Sequence, residues 1–105
     1  MSSISTHVLD TTSGKPAQGV CVRFCDAERE IASGVTDANG RCSSLLPPGI
    51  VLAIGIYRLV FDTSAHFPEG FYPQVTIFFQ VRDTAAHYHV PLLISPFGYT
   101  TYCGS

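Results

Sequence analysis

Turn-forming residues recur about every ten positions in this 105-residue chain, and this spacing limits the possible folds more than any other feature. An Asn-Gly pair at 39–40 supplies the positive φ angles of a tight turn, and the two prolines at 47–48 exclude a central strand there. No segment between the turns keeps the periodicity of a helix. The pattern therefore predicts an all-β protein, a two-sheet β-sandwich of seven or eight short strands.

The segments between the turns are rich in β-branched and aromatic residues. We predict strands over 4–9, 20–24, 30–36, 56–62, 74–81, 87–94 and 99–102, with one short helical turn within 63–70. Pro91 lies inside one of these segments and cannot donate to a sheet ladder, so we expect an edge strand or a bulge there. The length supports one core, and we expect a single domain over 1–105.

Charged residues make up only 13% of the chain, compared with about 25% in a typical domain. A small protein has much surface to cover, so part of this surface is expected to face another subunit. The segment 84–105 contains no Asp, Glu, Lys or Arg. We therefore expect the end of the chain to be buried, either in the core or at a subunit contact, which makes it a candidate site.

Net charge and hydropathy exclude two classes of partner. The formal charge of −2 and the absence of a Lys or Arg run exclude a basic nucleic-acid binder. The most apolar stretch, 49–56, is too short to span a membrane, and the first residues lack the pattern of a secretory signal. The expected compartment is the cytoplasm, where we expect thiols rather than disulfides at Cys21, Cys25, Cys42 and Cys103.

The candidates for chemistry are few: His7, Arg41, His87, His89 and the terminal segment 102–105. His87 and His89 alternate onto one face of their predicted strand. They would form a metal pair, but no third ligand is evident, so we expect no metal site. A lone histidine on a strand is most often structural, and an arginine just after a turn is more often a solvated loop residue, so the residues alone favour these roles. Composition and spacing do not name a substrate.

Four segments carry a distinctive combination of residues: STHVLD at 5–10, TDANGR at 36–41, HYHVPLL at 87–93 and YCGS at 102–105. Together with SGKPA at 13–17, they resemble the transthyretin-related 5-hydroxyisourate hydrolases, in order and along nearly the whole chain. The resemblance implies a transthyretin-like (prealbumin-like) sandwich of two four-stranded sheets with one short helix. It also implies a homotetramer, a dimer of dimers, with active sites in the cleft between the dimers.

The same resemblance implies an activity. Members of the family hydrolyse 5-hydroxyisourate, the unstable product of urate oxidation, to 2-oxo-4-hydroxy-4-carboxy-5-ureidoimidazoline by opening its ring lactam. The catalytic positions of the family fall on His7, Arg41 and His89, and the substrate-binding positions fall on Tyr102 and Ser105. No metal ion and no organic cofactor is implied.

One position departs from the family pattern, because Cys103 stands where the family has arginine. A thiol cannot reproduce the fork of donors that a guanidinium offers. The substitution affects either the affinity for substrate or the placement of the chain end, and an impaired enzyme is one hypothesis that follows. The conclusion on the type of reaction depends on this position less than on the histidines and Arg41.

These residue types suit the hydrolysis of an amide. An imidazole can take a proton from water near neutral pH, and a guanidinium can hold a developing oxyanion. Our hypothesis is that His7 and His89 position and activate water, while Arg41 fixes the oxygens of the substrate. Tyr102 and Ser105 would complete the pocket by hydrogen bonding. Which of the two histidines is the base is left open.

Two interpretations without catalysis are also open. One is a small-ligand binding protein of the transthyretin fold, which carries thyroid hormone and has no hydrolase activity. The hormone carrier lacks the terminal Tyr-x-Gly-Ser and these histidines, so their presence here favours the enzyme. The other is a structural or metal-storing module that uses His87, His89 and the thiols.

Overall fold

The computed structural model describes residues 3–43 and 45–105, which form nine β-strands and one 3₁₀ helix. In chain order these are β1 Ser3–Asp10, β2 Lys15–Pro16, β3 Cys21–Cys25, β4 Glu30–Val35, β5 Arg41–Cys42, β6 Gly55–Phe61, the 3₁₀ helix Thr63–Ala65, β7 Val75–Val81, β8 His87–Ser95 and β9 Gly98–Thr101. The prediction of an all-β chain is confirmed, and each predicted strand overlaps an observed one. No helix among the described residues is both long and apolar enough to cross a membrane.

The strands form two sheets that share one core. The first sheet contains β2, β1, β8 and β9 in this order, with β5 also paired to β1, and the second contains β4, β3, β6 and β7. β1 and β8 run parallel, whereas neighbours in the second sheet run antiparallel. The two-sheet sandwich is thus confirmed. The first sheet has five strands rather than the implied four, because residues 41–42 add a two-residue strand beside β1.

Alternation along β1 and β8 separates an inner face from an outer face. The even-numbered residues of both strands are buried except for the half-buried Tyr88, and Val8 and Leu92 are fully enclosed. The second sheet contributes Phe24 and Phe61 to the same core. Each such side chain stabilises the fold by about 1.5 to 3 kcal/mol through the apolar surface it removes from water. The odd-numbered residues, among them the predicted site histidines, therefore project from the outer face.

Pro91 lies in the interior of the first sheet and not at its edge. β8 has β1 on one side and β9 on the other, so the prediction of an edge strand at this proline is wrong. The ladder between β8 and β9 ends at Leu92↔Thr101 and resumes at His89↔Gly104, so it is interrupted at the proline. The Thr101 hydroxyl donates a hydrogen bond of 2.7 Å to the Pro91 carbonyl at this gap. The missing N–H therefore costs one ladder bond on the β9 side and leaves the pairing with β1 intact.

The last residues of the charge-free segment 84–105 lie on the surface, whereas Val90, Leu92 and Ile94 of β8 are in the core. Tyr102 is 57% exposed and Phe97 is 79% exposed, and Cys103 and Ser105 are exposed as well. Burial in the core, one of the two expected explanations for the missing charges, is therefore confirmed for β8 and wrong for the residues that follow it. A subunit contact stays a prediction.

Among the described residues, no disulfide joins two of the cysteines. Cys25 is buried and Cys103 is exposed, while Cys21 and Cys42 are half-buried. Cys42 packs against the backbone of β4, where a β-carbon added to Gly34 would lie 2.6 Å from its sulfur. The thiols are thus distributed over both sheets and the chain end.

Candidate active site

The predicted histidines lie on the outer face of the first sheet. β1 and β8 pair in parallel, with Ser5 beside His89 and His7 beside Pro91. On the other side of β1, the antiparallel strand β5 places Arg41 directly opposite His7. Residues paired across neighbouring strands share a face of the sheet. The structure therefore brings together the three predicted catalytic side chains, although they are far apart in the sequence.

A tight turn between β4 and β5 brings Arg41 to this face. The Asp37 carboxylate accepts hydrogen bonds from the backbone N–H groups of Arg41 at 3.0 Å and Asn39 at 2.9 Å. These two bonds hold the pKa of Asp37 below its ordinary value, and the bond from Arg41 has the larger effect. Gly40 completes the turn with φ at +74°, and its carbonyl accepts the N–H of Val8 at 2.7 Å. The turn is thereby anchored on the strand that carries the first histidine.

Replacing Gly40 with alanine should destabilise this turn. A β-carbon at Gly40 would lie 2.3 Å from the carbonyl oxygen of Val8, so the backbone must move. Gly14 is a matched control, because its φ is +73° and an added β-carbon would meet nothing within 4 Å. We expect Gly14→Ala to lower the free energy of unfolding by about 1 kcal/mol, from the φ angle alone. Gly40→Ala should lower it by about 3 kcal/mol in urea denaturation; equal losses in the two variants would contradict the close approach.

His89 is half-buried between β1 and the end of the chain. Its Nδ1 atom lies 2.8 Å from the hydroxyl oxygen of Ser5. Burial lowers the pKa of His89 below the ordinary histidine value, and the positive charge of Arg41, followed by His87 and His7, lowers it further. The imidazole is therefore neutral at neutral pH and can accept a proton.

The end of the chain packs on the backbone of His89. The N–H of Gly104 donates a hydrogen bond of 2.8 Å to the His89 carbonyl. A β-carbon on Gly104 would lie 2.6 Å from the Cδ2 atom of the His89 ring, so the close approach requires glycine. The two predicted substrate-binding residues, Tyr102 and Ser105, flank this contact along the chain. Both are exposed, so a single chain does not enclose them.

A cavity of about 340 Å³ lies at the edge of the sandwich beside this face. It is lined by β7, β8 and the chain end: Ile77, Phe78, Phe79, Gln80, Tyr88, His89, Val90, Thr101, Tyr102 and Cys103. Its lining includes neither His7 nor Arg41, so it is not a cleft in which the three predicted catalytic residues meet. In a single chain, the face that carries them is an open surface, with Arg41 exposed.

Sequence reasoning missed a set of contacts on this face. The Ser5 hydroxyl oxygen lies 3.0 Å from Nε2 of His87 and 2.8 Å from Nδ1 of His89. The Ser3 hydroxyl is hydrogen-bonded to Nδ1 of His87. The two rings are stacked, with centroids 6.3 Å apart and planes inclined by 14°. The alternation of Ser3, Ser5 and His7 is visible in the sequence, but the parallel pairing of β1 with β8 is not.

The metal-storing interpretation needs a donor set that the described residues do not assemble. Within 3–43 and 45–105, no three side chains of His, Cys, Asp or Glu are placed to hold one metal ion together. Cys21 and Cys25 belong to β3 in the second sheet, whereas His87 and His89 belong to β8 in the first. The thiols of Cys21 and Cys25 are therefore on a different sheet from the two imidazoles.

The sandwich and its topology are those of a transthyretin-like protein. The chain belongs to the HIUase/Transthyretin family, whose model matches residues 4–104. A mouse protein named 5-hydroxyisourate hydrolase is 43% identical over 99% of this chain and 96% of its own length. The solved structure of Klebsiella pneumoniae 5-hydroxyisourate hydrolase is 37% identical, covers 100% of both chains and superposes with a TM-score of 0.89.

A transthyretin is similar as well. The structure of sea bream transthyretin in complex with thyroxine is 32% identical, covers 96% of this chain and 93% of its own, and has a TM-score of 0.86. The fold is thus shared by proteins named as enzymes and by one named as a hormone complex. The choice between these functions has to come from the side chains of the site.

Proposed function

We propose that this chain hydrolyses 5-hydroxyisourate to 2-oxo-4-hydroxy-4-carboxy-5-ureidoimidazoline, a step of urate degradation. The proposal is carried by one observation: two imidazoles and a guanidinium, those of His7, His89 and Arg41, share one face of the first sheet. The relatives named 5-hydroxyisourate hydrolase support it, at 43% identity in mouse and 37% in Klebsiella pneumoniae.

His89 is the general base in the proposed mechanism. Its pKa is held below the ordinary value by burial and then by Arg41, so the ring is neutral when substrate binds. Nδ1 is occupied by the Ser5 hydroxyl at 2.8 Å, which leaves Nε2 for a water molecule. The imidazole takes a proton from this water as its oxygen attacks the ring carbonyl.

Arg41 stabilises the negative charge that grows on the carbonyl oxygen during this attack. A guanidinium offers several N–H donors with a fixed geometry, and its charge does not depend on pH in the working range. His7 lies opposite Arg41 across the β1–β5 pair and orients the water against the carbonyl. Tyr102 and Ser105 complete the pocket by hydrogen bonding to the substrate. The proposal needs neither a metal ion nor an organic cofactor.

We further propose that the chain assembles as a homotetramer, a dimer of dimers, whose sites lie between the dimers. The face that carries the site is open in a single chain, and the chain end beside it exposes Phe97, Tyr99 and Tyr102. Large exposed aromatic side chains on a chain with 13% charged residues favour an interface. Closing this face by another subunit would exclude water from the reacting groups and strengthen their electrostatic interactions.

Light scattering after gel filtration should give a mass of about 45 kDa, four times the 11.3 kDa of one chain. The reason is that the open site face and the exposed aromatic residues are covered in the assembly. A suitable control is the charged variant Phe97→Glu, which places a carboxylate in the expected contact and should reduce the mass. An 11.3 kDa particle that is active at micromolar concentration would contradict the proposed assembly.

The test of the function is the decay of 5-hydroxyisourate freshly generated by urate oxidase, followed by absorbance with and without the protein. A faster decay supports the hydrolase, and a wild-type rate raised strongly by Cys103→Arg supports an enzyme impaired at that position. An unchanged decay together with saturable thyroxine binding would favour the carrier instead. The proposed compartment is the cytoplasm, with the peroxisome as the alternative, and fluorescence of a tagged chain in cells distinguishes them.

A further inference from the structure

Two side chains next to His89, those of Ser5 and His87, transfer no proton in the mechanism described so far. Ser5 is only 7% exposed, and its hydroxyl oxygen lies 3.0 Å from Nε2 of His87 and 2.8 Å from Nδ1 of His89. His87 is hydrogen-bonded through its other nitrogen, Nδ1, to the hydroxyl of Ser3. The four side chains therefore form one continuous row of hydrogen bonds from the exposed surface to the proposed base.

The single proton of the Ser5 hydroxyl couples the two rings. A hydroxyl donates one hydrogen bond, so Ser5 donates to one of the two nitrogens and accepts from the other. When Ser5 donates to His87, the proton of the neutral His89 ring is on Nδ1, and Nε2 of His89 is a base. When Ser5 donates to His89, the proton of the neutral His89 ring is on Nε2, and this nitrogen is an acid. Protonation of His87 selects the second arrangement, because an imidazolium has an N–H at Nε2 that must donate to Ser5.

We propose that Ser5 and His87 form a proton relay that switches His89 between its base form and its acid form, an inference that rests on the proposed hydrolase function. When His89 takes a proton from water at Nε2, its Nδ1 proton passes to Oγ of Ser5. The hydroxyl proton of Ser5 passes to Nε2 of His87. One proton enters at His89 and one arrives at His87, so His89 stays neutral and His87 becomes the imidazolium. The reverse transfer delivers a proton from Nε2 of His89 to the leaving ring nitrogen.

The charges around the proposed base favour such a transfer. Arg41 faces it from β5 and His7 faces it from β1, and the chain end adds the titratable side chains of Tyr102 and Cys103. A positive charge kept on a half-buried ring would lie close to the guanidinium and would be poorly solvated. His87 is exposed, so water can solvate the charge once the relay has moved it there.

Ser5 and His87 are positioning residues in this scheme, and their variants should change kcat more than KM. We expect Ser5→Ala and His87→Gln to lower kcat by about 10- to 100-fold, at the lower end of a general acid–base contribution. Ser5→Thr retains a hydroxyl at the same position and should restore most of the rate. Ser33→Ala is the matched control, since it removes an exposed hydroxyl from β4 in the other sheet.

The pH profile separates a relay from a merely structural role. In the wild type, the acid limb of kcat/KM follows the first protonation of the coupled pair, because a charged His87 forces His89 into its acid form. In Ser5→Ala the limb follows His89 alone. The pKa of His89 lies below the ordinary value because the ring is partly buried and, to a lesser extent, because Arg41 is positively charged. The limb should therefore move to lower pH in Ser5→Ala and stay in place in Ser33→Ala.

Two-bond ¹H–¹⁵N spectra of histidine-labelled protein test the relay without substrate. In the wild type, the neutral ring of His89 should change from the Nδ1–H to the Nε2–H tautomer as His87 is protonated. In Ser5→Ala the tautomer should no longer respond to His87, and the signals of His66 should be the same in both proteins. Wild-type hydrolysis with an unchanged tautomer and pH profile in Ser5→Ala would overturn the relay. A coupled tautomer in a protein that does not hydrolyse 5-hydroxyisourate would instead overturn the proposed function.

Discussion

Replacing His89 with alanine should lower kcat/KM for 5-hydroxyisourate by about a thousandfold, within the range expected for the loss of a general base. The reason is the position of the ring, which is neutral, half-buried and on the same face as Arg41 and His7. Alanine removes the proton acceptor and leaves the water without a base. Initial rates on enzymatically generated substrate, over a range of concentrations, separate this loss in kcat from a change in KM.

The control for this variant is another histidine that the proposed reaction does not use. His66 follows the 3₁₀ helix and contacts Asp10. Asp10 lies five residues along β1 from Ser5, which is about 16 Å along the strand. His66→Gln keeps a side-chain N–H donor, and we expect it to hydrolyse the substrate at nearly the wild-type rate. If His89→Ala accelerated the decay as well as wild type, or if both variants lost equal activity, the assignment of His89 as the base would be wrong.

The fold could be predicted from short-range patterns in the sequence. The predicted strand 4–9 is observed as Ser3–Asp10, and the predicted strand 74–81 is observed as Val75–Val81. Both depend on alternation and on residues that suit a half-buried pleated surface, which are properties of neighbouring residues. The turn at Gly40 is equally local, because a positive φ angle favours glycine whatever the rest of the fold.

The misplaced features depend on contacts between distant parts of the chain. Pro91 was expected at an edge or a bulge. The structure places β8 between β1 and β9, and this pairing decides which neighbouring strand loses a hydrogen bond at the proline. The same parallel pairing brings Ser5 to His87 and His89, a contact across more than 80 residues that no local pattern indicates. The burial of the charge-free chain end was likewise inferred from composition. Composition records how much surface must be covered, but it does not say whether the core or another subunit covers it.

One polar contact that the sequence did not reveal joins the end of β1 to the segment after the 3₁₀ helix. Asp10 is 6% exposed, and its Oδ2 atom accepts a hydrogen bond of 2.8 Å from Nε2 of His66. Its Oδ1 atom accepts bonds from the N–H and the hydroxyl of Thr12, at 2.8 and 2.5 Å, and from the N–H of Ser13 at 3.2 Å. Burial alone would raise the pKa of Asp10, but the bonds from Thr12, then His66, outweigh it and lower the pKa well below its ordinary value.

Replacing Asp10 with alanine should lower the free energy of unfolding by about 3 kcal/mol, because it removes a buried carboxylate that accepts four hydrogen bonds. The loss arises because His66 and the donors of the turn are left without their acceptor. The matched control is Asp62→Ala, which removes an exposed carboxylate beside the same helix that accepts one bond from the half-buried Ser64 at 2.6 Å. That variant should lose less than about 1 kcal/mol. Both are measured by urea denaturation at one fixed protein concentration, because assembly also contributes to stability.

The same carboxylate predicts the sign of an acid effect. Its pKa is lower in the folded chain than the value of about 3.9 for an unfolded aspartate, so its stabilisation is complete above that pH. Stability is then lost as the pH falls below about 4 toward the folded pKa, because protonation removes the charge that the Thr12 and His66 donors stabilise. Asp10→Asn has no charge to lose at this position, and its free energy of unfolding should fall less steeply than that of wild type between about pH 4 and pH 2. Parallel slopes for the two proteins would show that Asp10 is not the group whose protonation destabilises the fold.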